Sequence, residues 1–203
     1  MTTAAERPLS PARRLLGSSV WACAIPVGFV LGAWLAQYPH GLIVVGVVIA
    51  LATWAVAAIL AGGIWHHAGA AVLVSCAGFA LTLFAGSGLY EAYMKTIGTR
   101  APATVTKVED RGNRHGANLH CTIAEPTGTV HVVSQQENCF DHIKPRQRVT
   151  IRKDPLGLLD PRLPDGPNQP PLGVTVWIAA GLFALTGATM FYAGQRRRPA
   201  RTA

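Results

Sequence analysis

The side chains best suited to chemistry lie in one polar stretch, where Cys121 and Cys139 have His120, His131 and His142 close by in the chain. Two chemistries use such residues. A pair of thiols can oxidise to a disulfide, and thiolates with imidazoles can hold zinc. Structural zinc sites usually have short paired spacings at both ends of the motif. Here only Cys139 and His142, three positions apart, make such a pair, and the other candidates scatter over separate strands. His120 and His131 are expected on the exposed face of a hairpin, as neighbours across it. The disulfide is the favoured reading, because Cys121 and Cys139 are the only cysteines of the stretch. It would close a loop of about 18 residues and stabilise by about 3 kcal/mol in the chain-entropy model. A metal site on the same cysteines and histidines stays open as the alternative. No cofactor is expected.

Nucleophilic and acid–base catalysis find less support. The chain has no G-x-S-x-G, and its acidic residues form no evident catalytic pair. The segment Asn113–Leu119 is polar and contains glycine, which reads as a solvated hairpin tip before a ligand site. A non-enzymatic protein is expected.

The elements that position these residues follow from where charge is missing. Only 14% of the 203 residues are charged, and from Leu15 to Tyr90 there is no Asp, Glu, Lys or Arg. A soluble fold of that length needs charged surface, so the stretch belongs in lipid. Crossing the hydrocarbon core takes about 20 apolar residues at about 1.5 Å each. Breaks at Pro39–His40 and His66–His67 divide the stretch, and a further apolar run follows near the C-terminus. The expected spans are Leu15–Ala36, Gly41–Ile64, Ala68–Leu89 and Leu172–Gly194. The first is too long for a signal peptide and lacks a small-x-small cleavage site, so it is expected to be retained.

Orientation rests on arginine. Arg7, Arg13 and Arg14 precede the first span, and Arg196, Arg197, Arg198 and Arg201 follow the last. The positive-inside tendency places both ends in the cytoplasm, which requires an even number of spans. Lys95 and Arg100, just past the third span, oppose it weakly. The same clustering explains the net charge of +8 without nucleic acid: basic residues beside spans meet anionic lipid headgroups. Trp34, Tyr38, Tyr90, Tyr93 and Trp177 fall at outer ends, Trp65 and Tyr192 at inner ones. Trp54 lies mid-span and does not fit.

Small residues recur every fourth position in three spans: Ala24, Gly28, Gly32 and Ala36; Gly78, Thr82 and Gly86; Ala180, Ala184 and Ala188. In lipid, such stripes let backbones approach and mark helix–helix contacts. Packing inside the bundle is the favoured use, and a homodimer through the first stripe is the alternative. Pro26 is expected to bend the first span. The mid-span polar residues Thr53, Ser75, Thr82 and Thr186 can bond their own backbone, and Cys23 and Cys76 read as small apolar fillers. A transport core inside the membrane is not expected, since no ionisable group is present at depth.

The intervening stretch switches to a period of two. Ala103–Val108, the alternating Leu119–Ala124, Thr129–Ser134 and Arg148–Lys153 read as strands, with Glu125–Gly128 as a turn. They suggest a small antiparallel sheet or half-open barrel. The proline-dense segment 154–171 is expected to lead back to the bilayer, with Leu156, Leu158 and Leu159 on the sheet or at the membrane surface. The resulting division is an N-terminal tail at 1–14, three transmembrane helices at 15–97 and an extracytoplasmic β module at 98–171. A fourth helix at 172–194 and a basic tail at 195–203 complete it.

Arg100-Ala-Pro-Ala-Thr-Val-Thr-Lys-Val108, a hairpin at Gly128, and Pro145-Arg-Gln-Arg-Val-Thr-Ile-Arg-Lys-Asp-Pro155 resemble a widespread bacterial family of uncharacterised membrane proteins. In that family a β module of pattern A-x-V…G…V-x-V-x-x-D-P sits between transmembrane helices. The likeness covers roughly residues 98–163, and the Arg-, Ala- and Gly-rich composition is of an actinobacterial type. The resemblance implies architecture and transfers no catalytic residue; the cysteine pair is not part of the pattern. The expected function is a plasma-membrane protein whose outer module binds or scaffolds an envelope or membrane protein partner. The alternatives are an envelope sensor of metal or redox state and a small transporter subunit.

Overall fold

The computed structural model describes residues 11–39, 41–112, 118–166, 169 and 171–196. Its elements run α1 (Pro11–Leu35), α2 (Leu42–Ala58), a π-helical extension (Ile59–Ile64), α3 (Ala68–Thr96), β1 (Thr99–Asp110), β2 (Leu119–Ala124), β3 (Val130–Val133), β4 (Arg148–Lys153) and α4 (Leu172–Gln195). Four helices are long and apolar enough to cross a membrane, and a four-stranded antiparallel sheet lies between α3 and α4. Arg7, His40, the tip at 113–117 and the last arginines lie outside the described residues.

The helices bury little and expose much, as lipid requires. Helix α1 packs against α2, α3 and α4. The core it shares with them contains Ile25, Phe29, Trp65, Val74, Leu81 and Met190, while large apolar side chains such as Val44, Leu51, Phe79 and Leu83 point outward. Trp65, expected at an interface, is instead 1% exposed within this core.

Glycine sets the α1–α2 distance. A Cβ on Gly32 would lie 2.9 Å from the Gly46 carbonyl oxygen, and one on Gly46 would lie 2.4 Å from the Ala36 amide nitrogen. Gly28 meets Thr53 in the same way. The Gly28, Gly32 and Ala36 part of the first stripe therefore faces α2 of the same chain, whereas Ala24 is exposed. In α3, Gly78 lies against Phe29 and Gly86 against Gln37 and Ala33. The stripe in α4 differs from expectation. Ala180, Ala184 and Ala188 face outward, and the close approach to α1 is made by Gly187 at Ala22 and Gly194 at Ser18. A four-residue recurrence finds candidate faces, but the turn that meets a neighbour depends on the crossing.

Helix α3 is longer than the span expected to end at Leu89. Its last turns carry Glu91 and Lys95, which pair across one turn at 2.5 Å and continue the helix out of the apolar region. Only Ile97 and Gly98 separate it from β1. The Arg152 guanidinium donates to the carbonyls of Met94 (3.2 Å) and Lys95 (2.5 Å), closing that helix end with a positive charge where the helix dipole favours one.

The sheet order is β3-β2-β1-β4, an open sheet with β3 and β4 at its edges. One face buries Ala103, Val105, Cys121, Ile123, Val133, Val149 and Ile151 against Cys139, Ile143 and Leu163. Strand β1 extends beyond the expected Ala103–Val108 at both ends. Pro102 does not stop it, because there β1 pairs with β4 only and one side of its backbone is free of ladder bonds. A bulge between Val105 and Lys107 shifts the register against β2.

Segment 154–163 seats the module on the helices. The Asp154 carboxylate accepts from the amides of Leu156 (3.0 Å), Leu158 (2.8 Å) and Leu159 (3.2 Å), and from the Tyr93 hydroxyl at 2.7 Å. Burial alone would raise the pKa of Asp154, but the Tyr93 hydroxyl and these amides outweigh it and hold the group below its ordinary value. Leu159 packs on Tyr90 and Met94 beside Trp34, Tyr38 and Tyr93, not on the sheet. Leu156 and Leu158 stay exposed.

Candidate functional site

Cys121 and Cys139 form a disulfide, with Cα atoms 5.8 Å apart and both residues fully buried. Cys23 and Cys76 are free and exposed on the helices. The bridge ties strand β2 to the loop before Cys139. Within that loop the Glu137 carboxylate accepts from the Ser134 amide (2.7 Å) and hydroxyl (2.6 Å). Asn138 follows with a left-handed backbone, φ 78°, and is 1% exposed. Its side-chain amide donates to the Pro164 carbonyl at 2.6 Å, and the Leu163 amide donates back to the Glu137 carbonyl at 2.9 Å. The bridge thus fixes the loop, and the loop fixes the returning segment at 162–165.

That segment delivers Arg162 to the end of α3. Arg162 is 4% exposed, and its Nη2 lies 3.3 Å from Glu91 Oε1 and 3.0 Å from Asp165 Oδ1. Lys95 Nζ reaches both acids at 2.5 Å. Two carboxylates and two cations therefore neutralise one another where the module meets the helices. Burial would raise the pKa of Asp165, but the hydrogen bonds from Lys95 and Arg162 prevail and lower it. The pairing also accounts for Lys95, whose position opposed the charge-based orientation: its charge is spent locally.

A cavity of about 580 Å³ opens beside this network. Its walls come from α3 (Ser87, Glu91), from α4 (Thr175) and from the module (Gln136, Asn138, Phe140, Asp141, His142, Arg162). Phe140 is 41% exposed and stacks on His142 at 27° between ring planes. Gln136 also reaches Gln37, just past α1, at 2.5 Å. The size lies within the range usual for small-molecule pockets.

The three candidate histidines do not meet. His120 stands opposite Glu109 in the β1–β2 ladder. His131 pairs with Ile123, so it shares the inner-face side of the sheet and not the outer face expected for it. The hairpin register joins odd positions to odd positions, which separates His131 from His120. Its ring bonds Glu125 Oε1 at 2.9 Å, and the Lys153 ammonium reaches both oxygens of that carboxylate at 2.8 and 3.0 Å. His142 lies at the cavity against the Pro164 carbonyl. Among the described residues, no three His, Cys, Asp or Glu side chains converge as a metal-holding group.

Sequence reasoning found the cysteines and His142 but missed Glu91, Asn138 and Arg162. Glu91 carried a signal, as the first acidic residue after the charge-free stretch. Asn138 and Arg162 carried none, because their roles depend on contacts more than 20 residues away in the chain. Comparison of the chain with protein-family models, with curated proteins and with solved structures finds no match. The family resemblance is carried by its short motifs alone.

Proposed function

We propose that the chain is a non-enzymatic plasma-membrane protein, with both termini cytoplasmic, whose β module faces outward and binds another envelope component. The cavity walled jointly by module and helices is the observation that carries this reading. The pairing of Glu91 and Asp165, each held by two cations, supports binding over acid–base chemistry. The disulfide fits an oxidising compartment, and the arginines at both termini fit a cytoplasmic location for them.

The test begins with Gln136→Cys in a background with Cys23 and Cys76 replaced by alanine, treated with a membrane-impermeant thiol reagent. Labelling of intact cells is expected. Labelling only after lysis would overturn the orientation. Copurification after mild extraction should then recover a component whose yield falls with Phe140→Ala; equal recovery with the variant would remove the cavity from the reading.

A second reading, an envelope sensor of redox state, is favoured by one observation: the bridge fixes the loop that lines the cavity. Reduction would release Asn138 and with it the seat of Arg162. Binding that is unchanged by reductant would sink this alternative.

A further inference from the structure

Resting on the reading of the cavity as a binding site, we infer that its ligand is a neutral, hydroxyl-rich group, a glycosyl unit, presented by a lipid headgroup or as a free saccharide. The argument is one of matching. An anionic group such as phosphate needs a cation that is not already satisfied, and Arg162 is held by two carboxylates at 3.3 and 3.0 Å. A strongly cationic group needs more than one free acid, and Glu91 is held by Lys95 and Arg162, which leaves the exposed Asp141 carboxylate alone. What the rim offers instead is a side-chain amide at Gln136, acceptor oxygens at Asp141 and an imidazole at His142. The Gln136 amide, which also donates to Gln37, can donate and accept as sugar hydroxyls do, and the Asp141 carboxylate accepts from them.

The remaining wall suits the same ligand. The Phe140 ring is half-exposed and steadied against His142, which leaves a flat apolar face at the rim. Such a face matches the C–H side of a pyranose, while Gln136 and Asp141 match its hydroxyl edge. The cavity is also lined by Ser87 of α3 and Thr175 of α4, both within the apolar helices long enough to cross a membrane. A lipid-borne glycosyl unit would extend from the module towards these helices. A free saccharide would use the same rim without that extension.

The experiment uses the full-length chain in phosphatidylglycerol nanodiscs doped with a minor fraction of monoglucosyl-diacylglycerol, with lipid retention read by native mass spectrometry. Enrichment of the glycolipid over phosphatidylglycerol is expected. Phe140→Ala and Asp141→Ala should each reduce it by roughly fivefold, the effect of losing about one good contact. Val132→Thr, on the outer face of the sheet, should leave it unchanged. Methyl glucoside added in excess separates the sources. Binding of it in discs free of glycolipid, lost with Phe140→Ala, assigns a free saccharide; its failure to bind while glycolipid is retained assigns the headgroup.

Equal retention of both lipids with no binding of methyl glucoside overturns the inference, as does glycolipid retention that ignores both variants. Phosphatidylglycerol retained in preference and lost with Phe140→Ala would replace it with an anionic ligand. A copurifying protein that depends on Phe140, without any glycosyl preference, sinks the inference while the binding-module reading stands. A melting temperature matching the unsubstituted chain certifies that each variant is folded. If Phe140→Ala fails that check, Phe140→Leu, which keeps bulk and removes the aromatic face, takes its place.

Discussion

Replacing Arg162 with methionine tests whether the four-charge network holds the module on the helices. The side chain is 5% exposed, and it contacts Glu91, itself 10% exposed, and Asp165. Its removal leaves two carboxylates sharing the single ammonium of Lys95, which is 25% exposed. Breaking a buried pair from one side typically costs about 3–5 kcal/mol, because the partner's desolvation is no longer offset. Lys95 keeps part of that offset and water reaches it, so the lower end, about 3 kcal/mol, applies here. For a module of this size, each kcal/mol moves the melting temperature by about 4–8 °C, which gives a fall of at least about 12 °C. The assay is thermal unfolding in detergent, read by trypsin cleavage within the β module. Glu91→Gln in the same background should then cost less than it does alone, with a coupling of about 1–2 kcal/mol, since its main buried partner has already gone. A fall of less than about 3 °C, or strict additivity of the two changes, would refute the argument and reduce the network to surface pairing.

Three further outcomes are expected. Cys121→Ala with Cys139→Ala should lower module stability by about 3 kcal/mol from the lost loop constraint, and reductant should bring the unsubstituted chain down towards the same melting temperature; insensitivity to reductant would argue against a bridge in the native protein. Stability should fall in acid. Asp154 and Asp165 have folded pKa values below their unfolded ones, so they stabilise above the unfolded value of about 4 and that contribution is lost as pH falls through the depressed folded values. A melting curve flat from pH 6 to about 3 would contradict this. Gly46→Ala should cost about 1–3 kcal/mol through overpacking, since its Cβ would lie 2.6 Å from the Gly32 carbonyl oxygen of α1 and 2.4 Å from the Ala36 amide nitrogen just past it; detergent-stable folding at the unsubstituted melting temperature would place that contact elsewhere.

What was legible in the sequence follows from the range of the forces involved. The spans came from local composition alone, and the strands from two-residue alternation, so both survive without knowledge of the fold. The bridge was legible because elimination left one partner for each cysteine in the module. Asp154 shows the limit: the Asp-Pro motif marks a turn, but its bond to Tyr93 joins residues 61 apart and no local pattern carries that. Arg162 read as one charge in a proline-rich return, and its burial against Glu91 depends on the disulfide-fixed loop. His131 was misassigned by face, because a strand's alternation is fixed by itself while its phase is set by the hairpin register.

The way the module is seated also bears on what a bound ligand could do. A ligand shifts a conformational equilibrium only by the difference in its affinity for two states. Transmission from the cavity to the far end of the bundle would require α3 or α1 to have a second packed arrangement. Helix α3 enters β1 after only two residues and is tied to the module by Arg152, Tyr90 and Tyr93. Helix α1 meets α2 through glycines whose backbones leave no room for a side chain, a contact that disfavours sliding. Both features favour a module that holds a ligand at the membrane surface over one that passes a signal through it. The redox alternative survives this reasoning, because loss of the bridge would act on the loop at Ser134–Asn138 and needs no helix to move.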